Sequence, residues 1–505
     1  MTPGLERARS SGRALAAAAA TVLTLVLAAA IRLYGLSRDS LWFDEVVSVA
    51  LARSDPWTFL KTVGGWEFNS ILYYVLLRPW VALGTDEATV RALSVLCGVA
   101  AVAVTGLLGW RLFGPAAGSM AALLLAVHAG HVHYSQEARG YSLAVLLVTL
   151  STLLFVEAAN RPSRKRWAAY ALVSGAAGYA HFFGVLIPLT HWLTAPARWG
   201  RRPPSGLRVA VLATLALWLP IAAFVLLKDA GQVGWIPGTS LEALRRTLVL
   251  LAGGTLPLLG ALLLAALPAV AAARRSDRGR PCRVWALALC AAWLVVPAAL
   301  AVAASAVKPL FVDRYLLVSV PALPLLAAAG IASLRPRVVR VAAFAMLVAL
   351  AVPPVLQGAG PAREDWRRAT RFLLSNASAG DVVVFHPPWA RLPFDHYRER
   401  APAGPEITGF PPWWDYASFA RDVPAPRVDP AGIARLNCRH DRTWLMHRAG
   451  ESLEQPHSRA LLGALGAAYS KRRDFAFTGV ELFRYSGPRP CSASARAAAA
   501  AQPPE

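Results

Sequence analysis

Charge is scarce in this 505-residue sequence: Asp, Glu, Lys and Arg together make up 16% of it, against about 25% in an average soluble domain. With 56% of the residues hydrophobic, water is not the main solvent of such a chain. Cysteine is scarce too. Five residues are too few for a disulfide framework, and only Cys438 and Cys491 fall beyond the apolar part of the chain, where a bond between them is open. Nor is there an internal repeat or a pair of interrupted apolar segments at corresponding positions, the mark of many secondary transporters. Acidic residues are the rarer charge, 29 against 52 basic ones, which leaves a net charge of +23.

What the sequence has is apolar length. A crossing needs about 20 apolar residues, and such runs recur from residue 14 to residue 357. Their limits predict eleven crossings, at 14–36, 89–110, 116–130, 142–159, 167–179, 182–194, 209–227, 247–272, 284–306, 315–334 and 341–357. With the N-terminus inside, the loops on that side (1–13, Arg111, 160–166, 195–208, 273–283, 335–340) hold 20 Lys and Arg against 2 Asp and Glu, and the outer loops hold 10 against 11. Cytoplasmic loops retain Arg and Lys during insertion, so this asymmetry sets the orientation. It also accounts for most of the net charge and leaves no need for a nucleic-acid partner. An odd number of crossings places the C-terminal region outside. The pair at 167–179 and 182–194 is short, but Arg164, Lys165 and Arg166 before it and Arg198, Arg201 and Arg202 after it require both ends to face inward. Arg7, Arg9 and Arg13 resemble the start of a signal peptide, yet the apolar stretch runs on to Leu36 without a cleavage site, so an uncleaved first crossing is expected.

The expected layout is a cytoplasmic N-terminus at 1–13, a membrane domain at 14–357 with a first outer loop at 37–88, an extracytoplasmic α/β domain at 358–487 and a disordered tail at 488–505. The first outer loop carries 7 acidic and 4 basic residues. Within it, 69–83 (NSILYYVLLRPWVAL) is apolar but too short to cross, which suits a helix lying along the interface. In the outer domain, 363–375 (REDWRRATRFLLS) has helical spacing with Trp366, Phe372 and Leu373 as its stripe. Residues 381–385 (DVVVF) read as a strand, with further strands at 443–446 and 475–485 and a helix near 453–469.

Charged groups at a membrane are costly, so they mark function or pair with one another. Residues 41–45 (LWFDE) follow the outer end of the first crossing. A carboxylate there, Asp44 or Glu45, can serve as a base if held within hydrogen-bonding distance of a substrate hydroxyl; an interfacial Trp42 beside two solvated acids is the plainer alternative. Residues 131–141 (HVHYSQEARGY) gather many hydrogen-bonding groups, Glu137 and Arg139 among them, into one outer turn, which suits contact with a sugar. His131 and His133 alone do not make a metal site. Arg91, His181 and Arg314 lie at outer ends of crossings. Arg binds phosphate through two parallel hydrogen bonds; snorkelling toward head groups is the alternative. Trp366, with Asp365 and Arg367, reads as a buried anchor of the outer domain.

LWFDE after a first crossing, the NSILYYVLL helix, VRALSVLCG, the SQEARGYSLAVLL turn, YAHFFG and DRYLLVSVPALPLLAAAG, in that order and spacing, resemble the GT-C superfamily of membrane glycosyltransferases. Within it, the resemblance is to bacterial relatives of the protein O-mannosyltransferases and of the lipid A aminoarabinose transferases, over roughly residues 14–357. It implies a polytopic α-helical membrane protein of the plasma membrane, with about eleven transmembrane helices and a small extracytoplasmic α/β domain. The implied activity is inverting transfer of a sugar from a polyprenyl-phosphate donor to an extracytoplasmic protein, lipid or glycan acceptor. The implied roles are Asp44 as catalytic base with Glu45 as a second acid, Arg91 on the donor phosphate, Glu137 and Arg139 as second-loop residues of the site, and Tyr73, His181 and Arg314 as further substrate contacts. Relatives often have His-Pro-Pro ahead of the Leu-Tyr-Tyr stretch, where this chain has Phe68, Asn69 and Ser70. The resemblance fixes no cofactor and leaves a divalent cation at Asp44 and Glu45 open. The expected partners are the polyprenyl-phosphate-linked sugar, the acceptor and membrane lipids, without nucleic acid. A polytopic transporter and a lipid-linked glycan ligase are the alternative readings.

The chemistry agrees with the resemblance. A transferase working outside the cytoplasm needs a donor carried through the membrane, and displacement at an anomeric carbon passes through an oxocarbenium-like state. The enzyme must then take a proton from the acceptor and offset charge on the departing phosphate.

Overall fold

A computed structural model of the chain describes residues 3–227, 236–275, 280–358, 363–402, 405, 407–410, 436–449 and 455–490. The chain divides into two compact units, one formed by Met1–Leu36, Val63–Gly84 and Ala88–Gly360, the other by Ser37–Thr62, Thr85–Glu87 and Pro361–Glu505. The stretch 37–88, expected as one loop of the membrane domain, contributes to both.

The first unit is helical. Among the described residues six helices are long and apolar enough to cross a membrane: Glu87–Phe113, Tyr141–Asn160, Ser205–Leu227, Leu256–Arg274, Cys282–Ser305 and Arg337–Gln357. Two bent pairs raise the number to eight: Pro115–Ala126 with Ala129–Ser135, at 62°, and Asp313–Ser319 with Ala322–Ser333, at 43°. These are the helices of a multi-pass membrane protein. The first helix, Pro3–Leu33, has a shorter apolar stretch, Ala18–Leu33. Arg164–Ala180 and Leu186–Trp199 are also shorter than a full crossing. The apolar stretch of the first loop forms the helix Ile71–Trp80 between two short 3-10 turns.

Three expected crossings differ in detail. Instead of one helix over 247–272 there are two, Leu241–Ala252 and Leu256–Arg275. Gly253 and Gly254 adopt φ of +91° and +135°, and their N–H groups return to the carbonyls of Leu250 (3.1 Å) and Val249 (2.9 Å), a Schellman end that stops the helix. A Cβ at Gly254 would stand 2.4 Å from Cβ of Pro354, so the close approach also needs glycine. The crossings expected at 116–130 and 315–334 are the two bent pairs. In the first, His128 has extended backbone, and its Nδ1 accepts the N–H of His131 at 3.1 Å, which caps the second helix. Small residues at the centre, Ala28, Ala101, Ala122 and Ala126, with Leu125, Tyr134 and Tyr141, form the core and allow helices to approach closely.

The second unit is built on a mixed sheet of β1 (Val382–His386), β2 (Thr408–Phe410), β3 (Arg442–Arg448), β4 (Tyr469–Phe477) and β5 (Val480–Pro488), in the order β2-β1-β3-β5-β4. β1 runs parallel to β2 and β3. All five of its residues are buried, as a strand covered on both faces must be. β5 pairs antiparallel with β3 and β4, so the strand expected over 475–485 is a hairpin, turned at Gly479 with φ +67°. The helix Trp366–Asn376 buries Trp366, Ala369, Thr370 and Leu373 and is capped by Asp365, which accepts the N–H of Arg368 at 3.1 Å. The helix Phe43–Arg53 belongs to this unit and packs on Arg391–Arg398. Cys438 is disulfide-bonded; Cys491 and residues 491–505 of the expected tail lie outside the described residues.

Candidate active site

In the helical unit, connecting segments far apart in sequence bring polar side chains together. Asn69 Oδ1 accepts the N–H of Phe182 at 2.8 Å, and Phe68 stacks on Phe224 with ring centroids 4.9 Å apart. The residues that replace His-Pro-Pro therefore fasten the Ile71–Trp80 helix to the turn after His181. Arg139 donates to the hydroxyl of Tyr74 (2.7 Å) and lies 3.7 Å from Glu67 Oε2, to which Tyr74 donates at 2.6 Å. The Tyr73 hydroxyl is 2.9 Å from Ser94 Oγ, and Ser94 donates to the carbonyl of Arg139 at 3.4 Å. Glu137 is buried, with Oε1 3.3 Å from His133 Nε2.

A second group joins this one. Arg314 Nε donates to the Tyr141 hydroxyl at 3.0 Å, and its backbone N–H donates to Asp313 Oδ1 at 2.8 Å. His181 lies between Tyr141 and Tyr315, with ring centroids 5.7 and 4.8 Å away. Its Nδ1 accepts the N–H of Phe183 at 3.2 Å, which puts the ring proton on Nε2. Nε2 is buried and has no hydrogen-bond partner among the described residues. Burial first, then the charges of Arg139 and Arg314, push the imidazole down to about 3. The ring is neutral at physiological pH, and its Nε2–H is a donor awaiting an acceptor, a costly state for a buried group. Arg91 is different: it is fully buried and donates to the carbonyl of Leu36 at 2.8 Å, one turn before Ser94.

Asp44 and Glu45 belong to the other unit, in the first turn of Phe43–Arg53. Glu45 is fully buried, and its Oε2 accepts the N–H of Trp42 at 3.3 Å, so it caps its own helix. Asp44 is partly exposed; its carbonyl accepts the Ser48 hydroxyl at 2.9 Å. The N–H of Phe43 goes to Glu364 Oε2 at 3.0 Å, an oxygen that also accepts from Trp366 Nε1 at 2.6 Å. Arg448 pairs with the other oxygen of Glu364 and lies over the rings of Phe43 and Trp389, 5.9 and 4.9 Å from their centroids. Glu364 thus fixes the start of the helix that carries Asp44.

The chain is similar to the crystal structure of ArnT from Cupriavidus metallidurans in the apo state, with a TM-score of 0.61 at 14% identity, covering 94% of this chain and 100% of that one. Against ArnT of the same organism bound to undecaprenyl phosphate, the TM-score is 0.60 at 15% identity, over 93% and 99%. The fold is the GT-C fold. At such identity the likeness is one of fold. A looser likeness, to the oligosaccharyltransferase of Archaeoglobus fulgidus (TM-score 0.48, 14% identity, 93% of this chain and 74% of that one), is too distant to support an assignment. No protein-family model and no curated protein matches the sequence.

Within the helical unit of this GT-C fold, Tyr73, Arg139, His181 and Arg314 come together, with Glu137 two residues from Arg139 and Arg91 tied into the helix packing. Sequence reasoning included Tyr141 in the 131–141 turn but missed Glu67, Tyr74, Ser94 and Tyr315, although Tyr74 and Tyr315 each adjoin a residue that it chose. It also missed Arg32, whose signal was a lone guanidinium inside the first apolar run. Among the described residues no group of three or more His, Cys, Asp or Glu could hold a metal ion.

Proposed function

We propose that this protein is a membrane glycosyltransferase that moves a sugar from a polyprenyl-phosphate donor to an extracytoplasmic acceptor with inversion. The observation that carries the reading is His181, a neutral imidazole whose Nε2–H has no partner among the described residues and lies in the field of Arg139 and Arg314. Two guanidinium groups around a neutral donor suit an oxyanion such as a departing phosphate, because preorganised donors in a buried site stabilise charge most where it develops. The likeness in fold to ArnT with undecaprenyl phosphate bound supports a polyprenyl carrier.

In this reading eleven crossings leave the N-terminus cytoplasmic, and the unit with the sheet faces outward. The acceptor oxygen attacks the anomeric carbon while the bond from that carbon to the phosphate oxygen breaks. The acceptor gives its proton to a base, the role that the resemblance implies for Asp44, and the phosphate departs on its polyprenyl chain, its charge offset by Arg139, Arg314 and His181. Glu137 and Tyr73 hold the second loop, Arg91 holds helices together, and Glu45 serves the helix rather than the reaction.

The test is incubation of the purified protein with a panel of radiolabelled polyprenyl-phosphate hexoses and pentoses, offered lipid, glycan and protein acceptors, with and without a chelator. Transfer from at least one donor, lost in Asp44→Asn, is expected. No transfer from any donor, or undiminished transfer in Asp44→Asn, overturns the reading. Solute uptake into proteoliposomes without transfer would favour a transporter instead.

A further inference from the structure

Arg32, in the last turn of Pro3–Leu33, is fully buried. Its Nε donates to Ser135 Oγ (3.3 Å), Nη1 to the carbonyls of Ala28 (3.0 Å) and Ala126 (3.1 Å), and Nη2 to the carbonyl of Leu125 (3.4 Å) and to His131 Nδ1 (2.7 Å). Among the described residues none of its partners is a carboxylate. A guanidinium buried without a counter-ion is expensive, and it persists where its partners need it.

The need here is local. The chain interrupts its helix between Ala126 and Ala129, and the interruption leaves carbonyls of the final turn short of their usual donors. Arg32 supplies donors to two of them, and its charge stands at the negative end of that helix. Reaching past the break, it also grips His131 and Ser135. Gln136 returns the hold: its Nε2 donates to the carbonyls of Arg32 and Tyr34, both at 3.0 Å. The next residue is Glu137, and Arg139 follows two further on. Gly98 leaves the room required, since a Cβ there would stand 2.3 Å from Ser135 Oγ and 3.2 Å from Arg32 Nε.

We propose that Arg32 is a positioning residue for sugar transfer: through the broken helix it sets where Arg139 meets the substrate. The proposal rests on the glycosyltransferase reading. Lys at this position would keep the charge, but one ammonium cannot reproduce the planar fork that serves three carbonyls, a hydroxyl and an imidazole.

The experiment compares wild type, Arg32→Lys, Arg139→Lys and the double variant for thermal unfolding, donor affinity and single-turnover transfer per folded molecule. A misplacement of about 1 Å in a site can cost about 10²-fold in rate, and Arg32→Lys is expected to lower transfer per folded molecule by about that factor. In the double variant, Arg139→Lys is expected to add little, because residues acting as one unit are not additive. Transfer per folded molecule unchanged in Arg32→Lys, with only the unfolding temperature lowered, overturns the proposal, as do fully multiplicative losses. Should Arg32→Lys fail to fold, Gly98→Ala crowds the same contact while keeping the guanidinium, and the same two results decide. Absence of transfer by the wild type overturns the underlying reading and this proposal with it, whereas wild-type transfer retained in full by Arg32→Lys overturns the proposal alone.

Discussion

The helical unit holds two kinds of arginine. Arg32 and Arg91 are fully buried and donate to backbone carbonyls; Arg139 and Arg314 are partly exposed and donate to tyrosine hydroxyls. A carbonyl partner is fixed by the backbone, so the first kind cannot turn to a ligand without loosening the fold. A tyrosine hydroxyl rotates and both gives and accepts, so the second kind can reorganise around an anion. The acids of the other unit divide in the same way: Glu45 is buried on its own helix start, and Asp44 is partly exposed one residue earlier. Residue type is a poor guide to role in this chain; the identity of the hydrogen-bond partner is a better one.

The sharpest test of that division is between the two acids. Asp44→Asn is expected to lower turnover by about 10²- to 10⁴-fold, the usual contribution of a general base, with donor affinity nearly unchanged. Glu45→Gln is expected to keep most of its turnover per folded molecule and to lose about 0.5–2 kcal/mol of stability as a weakened cap. Equal losses of turnover in both would erase the distinction.

Next come the arginines. Removing a hydrogen bond to a charged group costs about 1.5–3 kcal/mol, so Arg314→Met or Arg139→Met is expected to weaken binding of the polyprenyl-phosphate donor by roughly 10- to 100-fold. Arg91→Met is expected to lower the unfolding temperature, with a smaller change in donor affinity for the protein that remains folded. Titration with donor, followed by thermal unfolding in detergent, separates these outcomes; a reversed order would mean that Arg91 belongs with the phosphate.

The smallest effect concerns pH. His181 is held down to about 3 in the fold, below the roughly 6.5 of a free imidazole, so between these values the unfolded chain binds the extra proton. Stability contributed by the neutral ring is complete above about 6.5 and is lost as pH falls toward 3. His181→Gln, which cannot take the proton, is expected to flatten that part of the decline, measured as unfolding temperature against pH. An unchanged slope would mean that the ring is protonated in the fold.

Much of this architecture is legible in the sequence because length and periodicity carry it. The 381–385 strand, the helix at Trp366–Asn376 and the apolar helix of the first loop needed only local patterns. The breaks did not show. Hydropathy averages across Gly253–Gly254, and nothing apolar distinguishes a straight crossing at 116–130 from one interrupted at His128. Arg32 vanished in the same average. Nor could periodicity assign 37–62 to the unit with the sheet, since that depends on contacts with residues more than 300 positions away, such as Ser40 with Glu364 and Leu41 with Tyr397. Asp44, Arg139 and Arg314 drew notice as charges near a membrane, whereas Tyr74, Tyr141 and Tyr315 acquire meaning only once their partners are known.

Among the described residues the sheet ends at β4, where Ser470, Lys471, Arg472, Arg473 and Asp474 are exposed in succession. An open β-edge is a template on which another chain can lengthen the sheet, and natural proteins guard such edges with basic side chains. A second copy approaching this border would bring its own Lys-Arg-Arg run against the first, so the sheet is protected from end-to-end polymerisation by like-charge repulsion.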